Sequence, residues 1–257
     1  FGTAVAGTST CDFILHYGIG LITSVSDGTV TTAKLADSSV TAAKITDATI
    51  TAAKLASGTV QNQSAFKNII INGDMSIAQR GTSTASITSS GYHSLDRHRL
   101  FFNGSFGTWT QSQSTDVPSG QGFAKSLKMD CTSAETSPAS SGILMVQHKL
   151  EGQNLQYLKK GTANAESLTL SFWVKSNKTG TYITELYDYD SNVRTINKSY
   201  TINSANTWEK KTITYAGDTT GAFDNDNSAS LSLNFWLGSG TNWSSGTLQT
   251  SWGTQVS

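Results

Sequence analysis

The sequence predicts an all-β protein, an antiparallel β-sandwich or jelly-roll head behind a short repetitive trimeric stalk. Three observations lead there. Between residues 65 and 257 several segments alternate apolar and polar side chains with period two. Clusters of Gly, Asn, Asp and Ser separate those segments, as strand–turn–strand chains require. Between residues 28 and 60 a ten-residue unit repeats three times.

The first piece, residues 1–26, is apolar and punctuated by glycine. Residues 13–17 and 21–25 read as strands. A piece this short cannot bury a core alone, so it is expected to be the C-terminal remnant of an upstream β domain.

Residues 27–64 form the stalk. Its units are 29–38, 39–48 and 49–58, and its large apolar residues fall at every fifth position: Val30, Leu35, Val40, Ile45, Ile50, Leu55 and Val60. Steps of five rotate by about 140° on a helix and alternate faces on a strand, so neither regular structure gathers them into one stripe. Each unit must therefore change shape internally. Thr31, Thr41 and Thr51 are placed to cap a helical turn containing Ala-Lys-Leu or Ala-Lys-Ile, with Val or Ile in the extended link. A single ribbon of this kind cannot bury its apolar row. Three copies about one axis can, with Lys34, Lys44 and Lys54 near Asp37 and Asp47 of neighbours. A loose Ala/Thr linker is the alternative, but a linker needs no regular apolar positions.

The head, residues 65–257, supplies the alternation. Leu168, Leu170, Phe172 and Val174 alternate with Thr169, Ser171, Trp173 and Lys175. Leu231, Leu233, Phe235 and Leu237 alternate with Ser232, Asn234 and Trp236. Leu144, Val146 and His148 alternate with Ile143, Met145 and Gln147, and residues 212–215 add a shorter strand. The absence of helical patterning points to one all-β domain.

Composition narrows the function. The 18 basic and 18 acidic residues cancel, which leaves no electrostatic footprint for a nucleic-acid partner. Charged residues make up 14%, aromatics 9%, and no apolar run has the length of a membrane-spanning helix. Cys11 and Cys131 read as two free thiols rather than a disulfide framework.

Chemistry-bearing groups are scattered. His93 and His98 flank Asp96, but no spaced Cys/His/Asp set accompanies them, and no metal or cofactor is expected. Asp188 and Asp190 share a face if extended and are not opposed across a cleft, as hydrolysis of a glycan would need. The run 224–227 is rich in oxygen ligands yet lacks the glycine and distal glutamate of a calcium loop. No catalytic residue is assigned.

The tryptophans carry more. Sugars present flat C–H faces, which an exposed indole with amide and charged neighbours accommodates. By parity Trp173 and Trp236 point away from their strands' apolar faces, beside Lys175 and Asn234. If their strands share a sheet, the four form one aromatic–polar patch. Trp109 and Trp243 stand in Ser/Thr/Gly-rich loop contexts and join them as glycan-binding candidates, whereas Trp208 reads as core. Burial at an interface between subunits is the competing reading for an outward Trp.

The repeat, with Val30, Thr31, Ala33, Lys34, Leu35, Ala36 and Asp37 as its first copy, resembles the stalk repeats of bacteriophage tail fibres, especially of marine and cyanobacterial phages. Residues 67–80, containing Asn72, Gly73, Asp74 and Met75, followed by 92–97, look like the opening of the head in those fibres. Residues 171–176 with Gly180, and 207–211, resemble strands of jelly-roll carbohydrate-binding modules. The resemblance implies a homotrimer in the tail of a virion, joined to other tail proteins through its N-terminal side. It also implies contact with a host surface polysaccharide or outer-membrane receptor. Such heads usually close with a further strand after the position of Trp252, so the head is expected to be truncated at its C-terminus. A purely structural fibre segment, a polysaccharide depolymerase and a bacterial surface adhesin are the alternatives.

Overall fold

A computed structural model describes residues 28–46, 49–50, 68–190 and 192–255, and the chain divides into two compact units, 1–62 and 63–257. The strands expected at 13–17 and 21–25, and the stalk positions Leu55 and Val60, lie outside the described residues.

In the first unit the sequence repeat is a structural repeat. Thr32–Lys34 and Ala42–Lys44 are 3₁₀ turns. In each, the lysine N–H donates to the carbonyl of the preceding threonine, Lys34 to Thr31 and Lys44 to Thr41, both at 2.9 Å. A second turn follows five residues later, closed by Ser39 N–H on Ala36 O and Thr49 N–H on Thr46 O. The first two units thus fold twice each where one turn was expected. The Thr31 side chain makes no capping hydrogen bond; its backbone carbonyl closes the turn instead. Val30, Leu35, Val40, Ile45 and Ile50 are 39–53% exposed, so the row is not buried within one chain.

The second unit is all-β and antiparallel. Its strands are β1 (Ser83–Ile87), β2 (Gly91–Tyr92), β3 (His98–Asn103), β4 (Thr108–Ser114), β5 (Ser126–Ser133) and β6 (Ile143–Glu151). They continue with β7 (Leu168–Val174), β8 (Gly180–Asp188), β9 (Arg194–Ile202), β10 (Glu209–Tyr215), β11 (Ala229–Ser239) and β12 (Gly253–Thr254). One seven-stranded sheet runs β12-β9-β8-β11-β6-β3-β2. The facing layer is split into a three-stranded sheet, β1-β4-β5, and a two-stranded sheet, β10-β7.

Period two decides the layering. Leu231 and Leu233 of β11, Leu150 of β6, Leu186 of β8 and Ile196 of β9 share the inner face of the large sheet. They pack on Ile213 and Tyr215 of β10 and on Leu168, Leu170 and Phe172 of β7. A second cluster joins Leu100, Leu144 and Val146 to Ile87, Trp109, Leu127 and Met129 of the three-stranded sheet. Phe235 touches both clusters and meets Phe172 edge-on, with centroids 5.1 Å apart. Each such leucine, fully buried, contributes about 1.5–3 kcal/mol. Gln111 of β4, completely buried, ties the layers with polar bonds: its Oε1 accepts from Ser94 N–H and Oγ–H, and its Nε2 donates to His98 O.

Candidate glycan-binding face

The outer face of the seven-stranded sheet is covered by neither smaller sheet, since both pack on its inner side. Register builds a polar row straight across it. Arg99 of β3 stands opposite Gln147 of β6, Gln147 opposite Asn234 of β11, Asn234 opposite Glu185 of β8, and Glu185 opposite Asn197 of β9. Residues paired across strands have Cβ atoms about 5 Å apart, so this is a continuous ladder of hydrogen-bonding groups.

Its bonds leave one acceptor over among the described residues. Arg99 Nη1 donates to Gln147 Oε1 at 2.7 Å. Asn234 Nδ2 donates to Glu185 Oε2 at 2.8 Å, and Trp236 Nε1 reaches the same oxygen at 3.3 Å. Gln147 Nε2 has Met145 Sδ at 3.7 Å and the Tyr189 hydroxyl as acceptors, and among the described residues Asn234 Oδ1 has no hydrogen-bond partner although Asn234 is 1% exposed. A buried amide acceptor without a partner costs about 1–3 kcal/mol.

Aromatic groups line the ladder. Trp236 is next along β11, opposite Met145, and Phe101 stands opposite Met145 on β3. Trp243, in the 3₁₀ turn Thr241–Trp243, lies with its ring 6.1 Å from that of Trp236. On the other side Tyr189 O–H donates to Ser232 Oγ and its ring meets Tyr187 at 4.8 Å. The polar row is the floor, and half-buried indole and phenol rings form its margins.

The ladder gathers three of the sequence candidates: Trp236, Asn234 and Trp243. It does not gather the others. Trp173 and Lys175 belong to the two-stranded sheet side of the sandwich, so the single patch conditional on a shared sheet does not form. There Trp173 stands opposite Lys210, while Lys175 and the indole N–H of Trp208 both bind the exposed carboxylate of Asp116. Those bonds hold the Asp116 carboxyl below its usual range, Lys175 first and Trp208 second. Trp208 is half-buried and outside both core clusters, contrary to its reading as core, because its N–H turns to this carboxylate. Trp109 is not a loop residue: it lies on β4, packs against the second core cluster and donates to Phe106 O at 2.8 Å.

Arg99, Gln147 and Glu185 were not among the candidates. Gln147 lay in an alternating segment, but its partners became visible only through the register of four strands. His98 is buried on β3, 5.2 Å ring to ring from His148. Asp188 and Asp190 do not face each other across a cleft: Asp188 is fully buried at the end of β8 with its Oδ1 accepting from Asp190 N–H, and Asp190 Oδ2 accepts from Asp224 N–H. Among the described residues no group of three or more His, Cys, Asp or Glu side chains is placed to hold a metal ion.

Glu185 is the energetic oddity. Burial pushes its carboxyl pKa up, and the hydrogen bonds from Asn234 and Trp236 only partly counter this. A folded pKa above the unfolded one means that its contribution to stability is full in acid and is lost as pH rises through the folded value. Glu185→Gln keeps an oxygen for both donors and removes the buried charge. It is expected to stabilise the head by about 1–2 kcal/mol at pH 7, with the gain vanishing near pH 4. Urea unfolding at the two pH values checks this; a loss of stability at pH 7 would mean that the carboxylate has a cationic partner.

No family model, curated protein or solved structure matches the chain.

Proposed function

We propose that this chain is a trimeric tail-fibre component of a virion that attaches to a polysaccharide on the host surface. The observation that carries the reading is the polar ladder with aromatic margins on the open face of the seven-stranded sheet. Sugar rings offer C–H faces to the half-buried indoles of Trp236 and Trp243. The buried floor beneath fixes the indole: Asn234 and Trp236 both donate to Glu185 Oε2.

The repeat supplies copy number. Its five described apolar residues are about half exposed at a constant interval, which suits three chains packing along one axis. Three weak sites on one fibre raise avidity by a factor on the order of 10² to 10⁴ when all can engage. The head's resemblance to carbohydrate-binding modules and the repeat's resemblance to tail-fibre stalks agree with this division of labour.

Two measurements test it. Light scattering on the full chain is expected to give three times the chain mass, and Ile45→Asp with Val40→Asp is expected to reduce this to the monomer. A monomer in the unsubstituted chain would remove the stalk from the reading. Binding of the chain to cells of a susceptible host is expected to fall about tenfold in Trp236→Ala and to be unchanged in Trp173→Ala. The reverse ranking would move the site to the Asp116 side of the sandwich.

A further inference from the structure

We propose that the ligand of the outer face is an acidic polysaccharide, whose sugar-borne oxyanions are bound by Arg99 and Lys149. This rests on the attachment reading above and adds the ligand's charge class to it.

Four cations crowd the β2–β3–β6 end of the face: Arg80, Arg97, Arg99 and Lys149. Two are answered by carboxylates. Arg80 pairs with Asp96, and Arg97 pairs with Glu151 at 3.3 Å while also donating to Lys149 O. The other two are not. Among the described residues neither Arg99 nor Lys149 takes part in an ion pair. The Arg99 guanidinium has one neutral acceptor, Gln147 Oε1, and lies 5.1 Å from the centroid of the Phe101 ring. The Lys149 ammonium rests 5.1 Å from the Tyr189 ring centroid and has no hydrogen bond to any described residue.

This is an unusual disposition for a chain whose formal charges cancel. Lysine and arginine normally reach for water or a carboxylate; here each is laid over an aromatic ring at the end of the ladder. Burial and the nearby Arg99 lower the Lys149 pKa, so the two cations repel each other until an anion arrives. Glu185 does not neutralise them, since it is buried three strands away from Arg99 with Asn234 and Trp236 as its donors. A carboxylate, sulfate or phosphate on a sugar relieves that repulsion, takes a planar fork from Arg99 and a point charge from Lys149, and leaves the sugar ring over the aromatic margin. A neutral glycan leaves both cations without a partner.

The test uses the full chain and defined polymers: polygalacturonate, dextran sulfate and uncharged dextran. Tryptophan fluorescence and isothermal calorimetry read binding at 50 and 500 mM NaCl. Polygalacturonate or dextran sulfate is expected to bind, to weaken with salt, and to lose at least about tenfold in affinity in Arg99→Gln with Lys149→Gln. Unchanged thermal midpoints show that the double variant is folded. Equal affinity of the double variant for the polyanion overturns the proposal, and so does a preference for dextran. Dextran binding that needs Trp236 but not Arg99 or Lys149 keeps the glycan face and removes the charge class. Polyanion binding that needs Arg99 and Lys149 but survives Trp236→Ala keeps the anion site and removes the sugar platform.

Discussion

Lys160→Met is expected to lower the stability of the head by about 3–5 kcal/mol, measured by urea unfolding at pH 7. The Lys160 side chain is 3% exposed, and its ammonium lies 3.0 Å from Asp188 Oδ2 and 3.0 Å from Asp218 Oδ2. It also donates to Thr220 O and sits 5.4 Å from the Phe223 ring centroid. Arg194 grips the second carboxylate from the other side, Nε to Oδ2 at 2.8 Å and Nη2 to Oδ1 at 3.0 Å. Two cations therefore balance two carboxylates that are 0% and 3% exposed. Burial alone pushes the Asp218 carboxyl up; bonds from Arg194, Lys160 and Thr220 N–H outweigh it and leave the group below its usual range.

Removing only the ammonium strands the Asp188 charge in the interior, where among the described residues Asp190 N–H is its one hydrogen-bond donor. Lys160→Met with Asp188→Asn removes both charges, and this pair is expected to recover at least half of the loss. Lys160→Arg is not a gentle control. A planar guanidinium does not fit the single point at which the ammonium meets Asp188, Asp218 and Thr220 O. A loss under about 1 kcal/mol in Lys160→Met would show that water reaches the cluster and screens it.

That cluster shows where sequence reading stops. The strands 143–148, 168–175, 212–215 and 231–237 were legible because one face of each buries leucine, valine or phenylalanine, and period two is visible without knowing any neighbour. Residues 180–188 and 194–202 were not read as strands. Tyr182, Thr184, Leu186 and Asp188 share an inner face, so the apolar alternation that marks a strand is broken by polar groups. Thr184 earns its place by accepting the Tyr215 hydroxyl proton, and Asp188 by pairing with Lys160. Both partners are distant in sequence. The ladder was half legible for the same reason. Parity put Asn234 and Trp236 on one face, but only the strand order β8-β11-β6-β3 brings Glu185, Gln147 and Arg99 into line with them. Trp173 obeyed parity equally well and was misgrouped because parity assigns a face, not a sheet.

Acidification from pH 7.5 to 5 is expected to cost the head about 2 kcal/mol through His148 alone. The His148 ring is 2% exposed, and its Nε2 accepts the Ile71 N–H at 3.3 Å while Nδ1 has no partner among the described residues. Desolvation, the neighbouring His98 and Arg97 hold its pKa down to about 3. Desolvation also lowers that of His98, against the hydrogen bond to Asn72 O that favours its charged form. A histidine that ionises near 6.5 when unfolded and far lower when folded makes the unfolded state the better proton binder, so stability falls as pH drops below about 6.5. Each pH unit below that point costs about 1.4 kcal/mol per group until the folded value is reached. Glu185 works in the opposite sense, because its raised folded pKa favours the folded state in acid. Asp218 works with the histidines, but only below the carboxylate range. Protonating His148 also removes the acceptor for Ile71 N–H, so residues 68–77 should open first. Its far end stays tied by Asn72, which bonds Ile77 and the Asp96 carbonyl, and by Gln113, which donates to Met75 O and Ser76 O. Urea midpoints at half-unit pH steps, with hydrogen exchange at the Ile71 amide, read both effects. His148→Gln is expected to flatten most of the slope between pH 6.5 and 5. A profile equally steep in that variant would assign the acid loss to other groups and leave the histidine pair a packing feature.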